Sequence, residues 1–194
     1  MSKIEEIKII TLGNSSVGKT SFILQYTENK YYTEYMTTLG VDYKQKKIQL
    51  KNGKDIYLRI FDTAGQERFR SVSVSFIKKA DGIILIYDIS SKDSFKSIGN
   101  WMENIKDIGK DKIPVILVGN KCDLPDEKRV ISQKEGEEKA EEFKIPFYET
   151  SCKDVINIKE VFEKLVEDIS SKGNKNSAKE IKILKKGKNK KKCC

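Results

Sequence analysis

Residues 7–20 read Ile-Lys-Ile-Ile-Thr-Leu-Gly-Asn-Ser-Ser-Val-Gly-Lys-Thr. A short apolar run leads into a polar turn bounded by glycines, and Thr20–Thr27 then takes up helical spacing. From Gly13 to Thr20 the pattern is G-x-x-x-x-G-K-T, between a predicted strand and a predicted helix, the context that gives this motif its meaning. The glycines let successive backbone N–H groups face inward, and the helix N-terminus adds partial positive charge. Lys19 places a full charge against β- and γ-phosphates, and Thr20 offers a hydroxyl to Mg²⁺. The expected phosphate-contacting set is Ser15, Ser16, Val17, Gly18, Lys19, Thr20 and Ser21.

Working outward, short apolar runs recur at Ile7–Leu12, Ile56–Phe61, Ile83–Tyr87, Pro114–Val118 and Pro146–Tyr148. Continuous runs of this length point to strands covered on both faces. The stretches Thr20–Thr27, Asp93–Ile108, Ser132–Phe143 and Asn157–Ile169 fit amphipathic helices, and Ser132 with Glu135, and Asn157 with Glu160, have N-cap spacing. Val41–Leu50 alternates more than the others, and Asn52-Gly53 then predicts a two-residue hairpin turn. The order implies an α/β fold: a doubly wound, mostly parallel six-stranded sheet with one antiparallel strand and helices on both faces. The domain is expected over residues 1–171, with residues 172–194 a disordered, polybasic tail.

Composition narrows the chemistry. The 194 residues are 35% charged and carry a formal net charge of +9. Ten lysines and one acid, Glu180, fall in residues 172–194, whereas residues 1–171 balance 28 basic against 28 acidic side chains. The excess therefore belongs to the tail and does not make the body a nucleic-acid binder. The chain contains no histidine, which excludes Ser-His-Asp triads, Cys-His nucleophile pairs and every His-containing metal site. Acids near Met1 and the lack of an apolar segment after them argue against a secretory signal. Cytosolic synthesis follows, and Cys122, Cys152, Cys193 and Cys194 have neither the setting of a disulfide framework nor the paired spacing of a zinc site.

Asn120-Lys121-Cys122-Asp123 follows the Pro114–Val118 strand, where an open α/β sheet presents its ligand loops. A carboxylate at Asp123 can accept from both N1–H and the N2 amine of guanine. Adenine has an acceptor at N1 and no N2 amine, so it would leave a desolvated charge unpaired.

These two motifs, with three further segments, resemble a Rab-type small GTPase of the Ras superfamily over residues 7–170 and the last two cysteines. Residues 35–43, Tyr-Met-Thr-Thr-Leu-Gly-Val-Asp-Tyr, resemble the first switch; residues 62–70, Asp-Thr-Ala-Gly-Gln-Glu-Arg-Phe-Arg, the second; and Thr150-Ser151-Cys152-Lys153 the last guanine-contacting loop. The resemblance implies a P-loop GTPase domain that binds GTP and GDP with Mg²⁺, hydrolyses GTP slowly, and switches partner-facing surface between the two states to regulate vesicle traffic. It implies Asn120, Lys121, Asp123, Ser151, Cys152 and Lys153 as guanine contacts, with Tyr31 stacking on the base. Thr20, Thr38 and Asp62 would hold Mg²⁺, the Gly65 amide would meet the γ-phosphate, and Gln66 would orient the attacking water, which needs no histidine. Tyr43, Phe61 and Phe76 would form the aromatic patch read by effectors, although Phe61 stands where such proteins usually have tryptophan.

Implied partners are an exchange factor, a GTPase-activating protein, a GDP-dissociation inhibitor and a prenylation escort protein, with the chain itself a monomer. Cys193-Cys194 resembles a doubly geranylgeranylated ending, two lipids being what stable attachment needs. Lys185, Lys186, Lys188 and Lys190–Lys192 would add attraction to an anionic leaflet. Anchoring is expected at the cytoplasmic side of a membrane, with no nucleic-acid partner.

Overall fold

The computed structural model describes residues 5–32, 41–50, 53–63, 70–110 and 112–187. Strands β1 (Glu5–Leu12), β2 (Val41–Gln49), β3 (Asp55–Thr63), β4 (Gly82–Asp88), β5 (Val115–Asn120) and β6 (Phe147–Thr150) form one sheet in the order β2-β3-β1-β4-β5-β6. Every neighbouring pair is parallel except β2 with β3, as the alternation of Val41–Leu50 predicts.

The continuous apolar runs are explained by what covers them. Along β1, Ile7 and Ile9 belong to one core while Ile10 and Leu12 belong to another. On β4, Ile84 and Ile86 face the first core, and Ile83, Leu85 and Tyr87 the second. The first core is closed by helix α1 (Lys19–Glu28) and helix α6 (Ile158–Gly187), through Phe22, Ile23, Tyr26, Val161, Phe162 and Leu165. The second is closed by α2 (Arg70–Lys79), α4 (Ile98–Asp107) and α5 (Gln133–Phe143), through Ile77, Ile98, Ile105 and Ala140. A strand buried on both faces has no polar side to alternate with.

Several local expectations change. The β2–β3 connection pairs Leu50 with Lys54, so three residues, 51–53, bridge the strands where two are predicted. Gly53 closes the loop at φ 80°, the left-handed residue of a bulged three-residue hairpin; Asn52 lies outside the described residues. The predicted Asp93–Ile108 helix is two, α3 (Lys92–Lys96) and α4, meeting at Ser97. Ser97 Oγ donates back to Asp93 O at 2.8 Å, a side-chain bond that bends helices.

Helix α2 is absent from the pattern reading, because Arg-Ser-Val-Ser-Val-Ser alternates like a strand. Ser132 and Glu135 do form a reciprocal capping box on α5. Asn157 does not act likewise: it sits at φ 55°, outside the extended region of an N-cap, and its Nδ2 donates to Glu149 O at 2.7 Å. Helix α6 is described as far as Gly187.

Candidate functional site

The carboxyl ends of β1, β3, β5 and β6 carry the predicted motifs to one end of the sheet, the place where open α/β sheets bind ligands. Gly13 and Gly18 bracket the first of these at φ 135° and 97°. A Cβ on Gly18 would stand 2.4 Å from Asn120 Nδ2, and one on Gly13 2.0 Å from Ile86 O, so both positions are closed to other residues. Ser16 also has positive φ, 63°. Lys19 is buried, and its Nζ donates to Gly13 O at 3.0 Å and Asn14 O at 2.7 Å. Burial holds its pKa down at about 8 while the Asp62 carboxylate pulls the other way. An ammonium gathered under its own loop and short of solvent suits a polyanion.

Thr20 Oγ1 donates to Asp62 Oδ2 at 2.6 Å. A hydroxyl and a buried carboxylate, drawn together from α1 and β3, are hard oxygen donors of the kind Mg²⁺ takes, with its remaining positions left to phosphate and water. The donor set therefore fits the ion. Thr38, Gly65 and Gln66, predicted for the same centre, lie outside the described residues.

Asn120 ties the second loop to the first: its Nδ2 donates to Val17 O at 2.8 Å, and its Oδ1 accepts from Thr150 Oγ1 at 3.1 Å. Lys121, at φ 71°, reaches Ser16 O at 3.0 Å. Ser151 Oγ donates to Asp123 Oδ1 at 2.6 Å and accepts from Asp154 N at 2.9 Å, which fixes the carboxylate's orientation. An antiparallel bridge from Ser151 to Ile156 closes the loop that carries Cys152 and Lys153. Cys152 is buried, its Sγ lies 3.5 Å from Asn120 Oδ1, and burial pushes its thiol up to about 12. Cys122 is also raised, first by burial and then by Glu149. Both thiols are thus protonated near neutrality, the behaviour of small packing residues and not of reactive thiolates.

Of the remaining predicted residues, Ser21 lies in the first turn of α1 and Tyr31 is exposed just beyond that helix. Tyr43, Phe61 and Phe76 form a row, with ring centroids 6.2 Å and 5.1 Å apart, and Arg59 lies 5.1 Å from the centre of the Tyr43 ring. Cys193 and Cys194 lie outside the described residues.

Three contacts escape motif reading. Asp88 at the end of β4 pairs with Lys121 at 2.5 Å. Trp101 Nε1 donates to Asn14 Oδ1 at 3.2 Å, and Asn14 Nδ2 donates to Ser97 Oγ at 3.0 Å, so the α3–α4 junction grips the phosphate loop. An indole can only donate, which fixes the orientation of the Asn14 amide. The available signal is a lone carboxylate ending an apolar strand; the tryptophan gives none.

Comparison with known proteins follows the same lines. The model of the Ras family matches residues 8–171. The chain is 46% identical over 165 residues to Ras-related protein Rab-3C of Bos taurus, covering 85% of this chain and 72% of that one. It is 44% identical over 163 residues to GTP-binding protein yptV2 of Volvox carteri, covering 84% and 75%. Identity to Ras-related protein Rab-3A of Homo sapiens is 45% over 165 residues, covering 85% and 74%.

Proposed function

Because this chain belongs to the Ras family and is a Rab-type GTPase that hydrolyses GTP, we propose that it works as a membrane-traffic switch, recruiting effectors with GTP bound and releasing them with GDP. The observation that carries the reading is the convergence at one end of the sheet of a buried Lys19, the Thr20–Asp62 oxygen pair and an Asp123 carboxylate oriented by Ser151.

In this reading the phosphate loop binds the polyphosphate through its amides and Lys19, whose attraction for the phosphates is strengthened by the low local dielectric. Thr20 and Asp62 would hold Mg²⁺, with Thr38 as a further oxygen donor, and the ion would supply positive charge at the polyphosphate. Asp123 accepts from guanine N1–H and N2, and Asn120 keeps the base loop in register with the phosphate loop through Val17. Gln66 orients water for in-line attack, a matter of positioning that needs no histidine. No arginine is placed by motif to stabilise the transition-state charge in cis, so an activating protein that supplies one would raise the rate roughly 10³- to 10⁵-fold.

Partner recognition falls to the switches and to the Tyr43, Phe61 and Phe76 row, with an exchange factor, a GDP-dissociation inhibitor and an escort protein acting on the same domain. The lysine-rich residues before Cys193-Cys194, with lipids on those thiols, would hold the domain at a cytoplasmic membrane face. Among the described residues no helix is long and apolar enough to cross a membrane, which accords with peripheral attachment.

Denaturing purified protein and chromatographing the released nucleotide tests the reading: GDP or GTP is expected, and ADP, ATP or nothing refutes it. Asp123→Asn is expected to lose guanine preference in competition between GDP and other nucleoside diphosphates.

A further inference from the structure

We infer that Asp88 is a positioning residue of the nucleotide site, acting through Lys121 to set how slowly nucleotide leaves. The inference rests on the reading of Lys121 as a base contact. Asp88 ends β4 in register with Asn120 at the end of β5; the chain then turns at Lys121, whose positive φ lets the side chain come back across that level. Asp88 is only 6% exposed, and a carboxylate that far from water needs both a counter-charge and hydrogen bonds. It has both. Oδ1 accepts from Ser90 N at 2.8 Å and Ser90 Oγ at 2.6 Å, and Oδ2 faces Lys121 Nζ at 2.5 Å.

The ammonium is shared. Lys121 Nζ also donates to Ser16 O at 3.0 Å, so one charge joins the end of β4, the turn after β5 and the phosphate loop. Ser94 Oγ, on α3, accepts from Asp88 N at 3.1 Å and donates to Ser91 O at 2.9 Å, which ties the strand end to the start of α3. A lysine stem held at both its root and its tip forms a fixed wall for a flat ligand. With the carboxylate neutralised, the tip keeps only a carbonyl, and wall and loop can part. Asp123 would still choose the base, so Asp88 affects dwell time and leaves guanine preference alone.

Release of fluorescent GDP from full-length wild-type protein, Asp88→Asn, Lys121→Ala and the double variant tests this, with guanine preference measured alongside. Asp88→Asn keeps the side chain's shape and is expected to release GDP about tenfold faster, as for loss of one charged hydrogen-bond partner. Lys121→Ala should be at least as fast, and adding Asp88→Asn to it should change nothing further. An unaltered rate, an equal acceleration in the Lys121→Ala background, or a lost guanine preference in Asp88→Asn overturns the inference. Should Asp88→Asn fail to fold, Ser90→Ala removes one of the two bonds to the carboxylate and is expected to release GDP about threefold faster, again only with Lys121 present. No acceleration there overturns the role of Asp88 while wild-type protein still retains GDP. A wild type that retains none overturns the nucleotide reading itself.

Discussion

Lys19 shows how one side chain's surroundings define its use. Burial lowers its pKa to about 8 from the ordinary 10.5, against the pull of Asp62. For a lysine lowered in this way, the ligand-free fold is best served by the neutral form, and stability declines as pH falls from about 10.5 to 8 before levelling off. Phosphates would restore the charge. Nucleotide binding is therefore expected to take up a proton near pH 8.5 and almost none at pH 7. Calorimetry in buffers of different ionisation enthalpy reads the difference directly, and heats independent of buffer at pH 8.5 would contradict it. Gly18 is constrained in another way, by a positive φ and by Asn120 Nδ2 at 2.4 Å from where a Cβ would go. Gly18→Ala must push Asn120 off Val17 O, so nucleotide affinity should fall at least tenfold, with about 1–3 kcal/mol of stability lost besides.

At the scale of elements, packing of α6 against α1 carries the first core. Phe162 is fully buried and stacks on Phe22 and Tyr26 with centroids 5.4 Å and 3.7 Å away. Phe162→Ala is expected to cost about 3–5 kcal/mol, lowering the melting temperature by about 10 °C, and thermal unfolding followed by circular dichroism would show it. The same elements explain what the chain's pattern reveals. The central strands are legible because covering both faces of the sheet demands unbroken apolar runs such as Ile83–Tyr87. The phosphate loop and the Asn120–Asp123 turn are legible because their chemistry is local and strictly spaced. Helix α2 is not, since its serines and valines carry strand periodicity and only tertiary packing at Ile77 decides otherwise. Asp88 is not legible either. Its partner Lys121 is brought beside it by the register of β4 on β5, which no local window contains.

For the whole molecule, charge is divided by place. Residues 1–171 are balanced, and residues 172–194 carry the entire surplus. Attraction to an anionic surface should therefore reside in the tail and weaken steeply with salt, the screening length being about 10 Å at 0.1 M. Replacing Lys185, Lys186, Lys188 and Lys190–Lys192 by glutamine is expected to abolish sedimentation with phosphatidylserine vesicles at low salt while leaving GDP release unchanged. Retained sedimentation would place the attraction elsewhere. The hydrogen bond from Trp101 to Asn14 has a consequence for how the molecule can be watched. Trp101 is the only tryptophan in the chain, so the entire indole emission comes from a ring attached to the phosphate cradle. The protein thus contains its own optical gauge: loss of nucleotide, felt at Asn14, should shift that emission with no dye attached. Asn14→Ala should silence the shift while the emission itself remains.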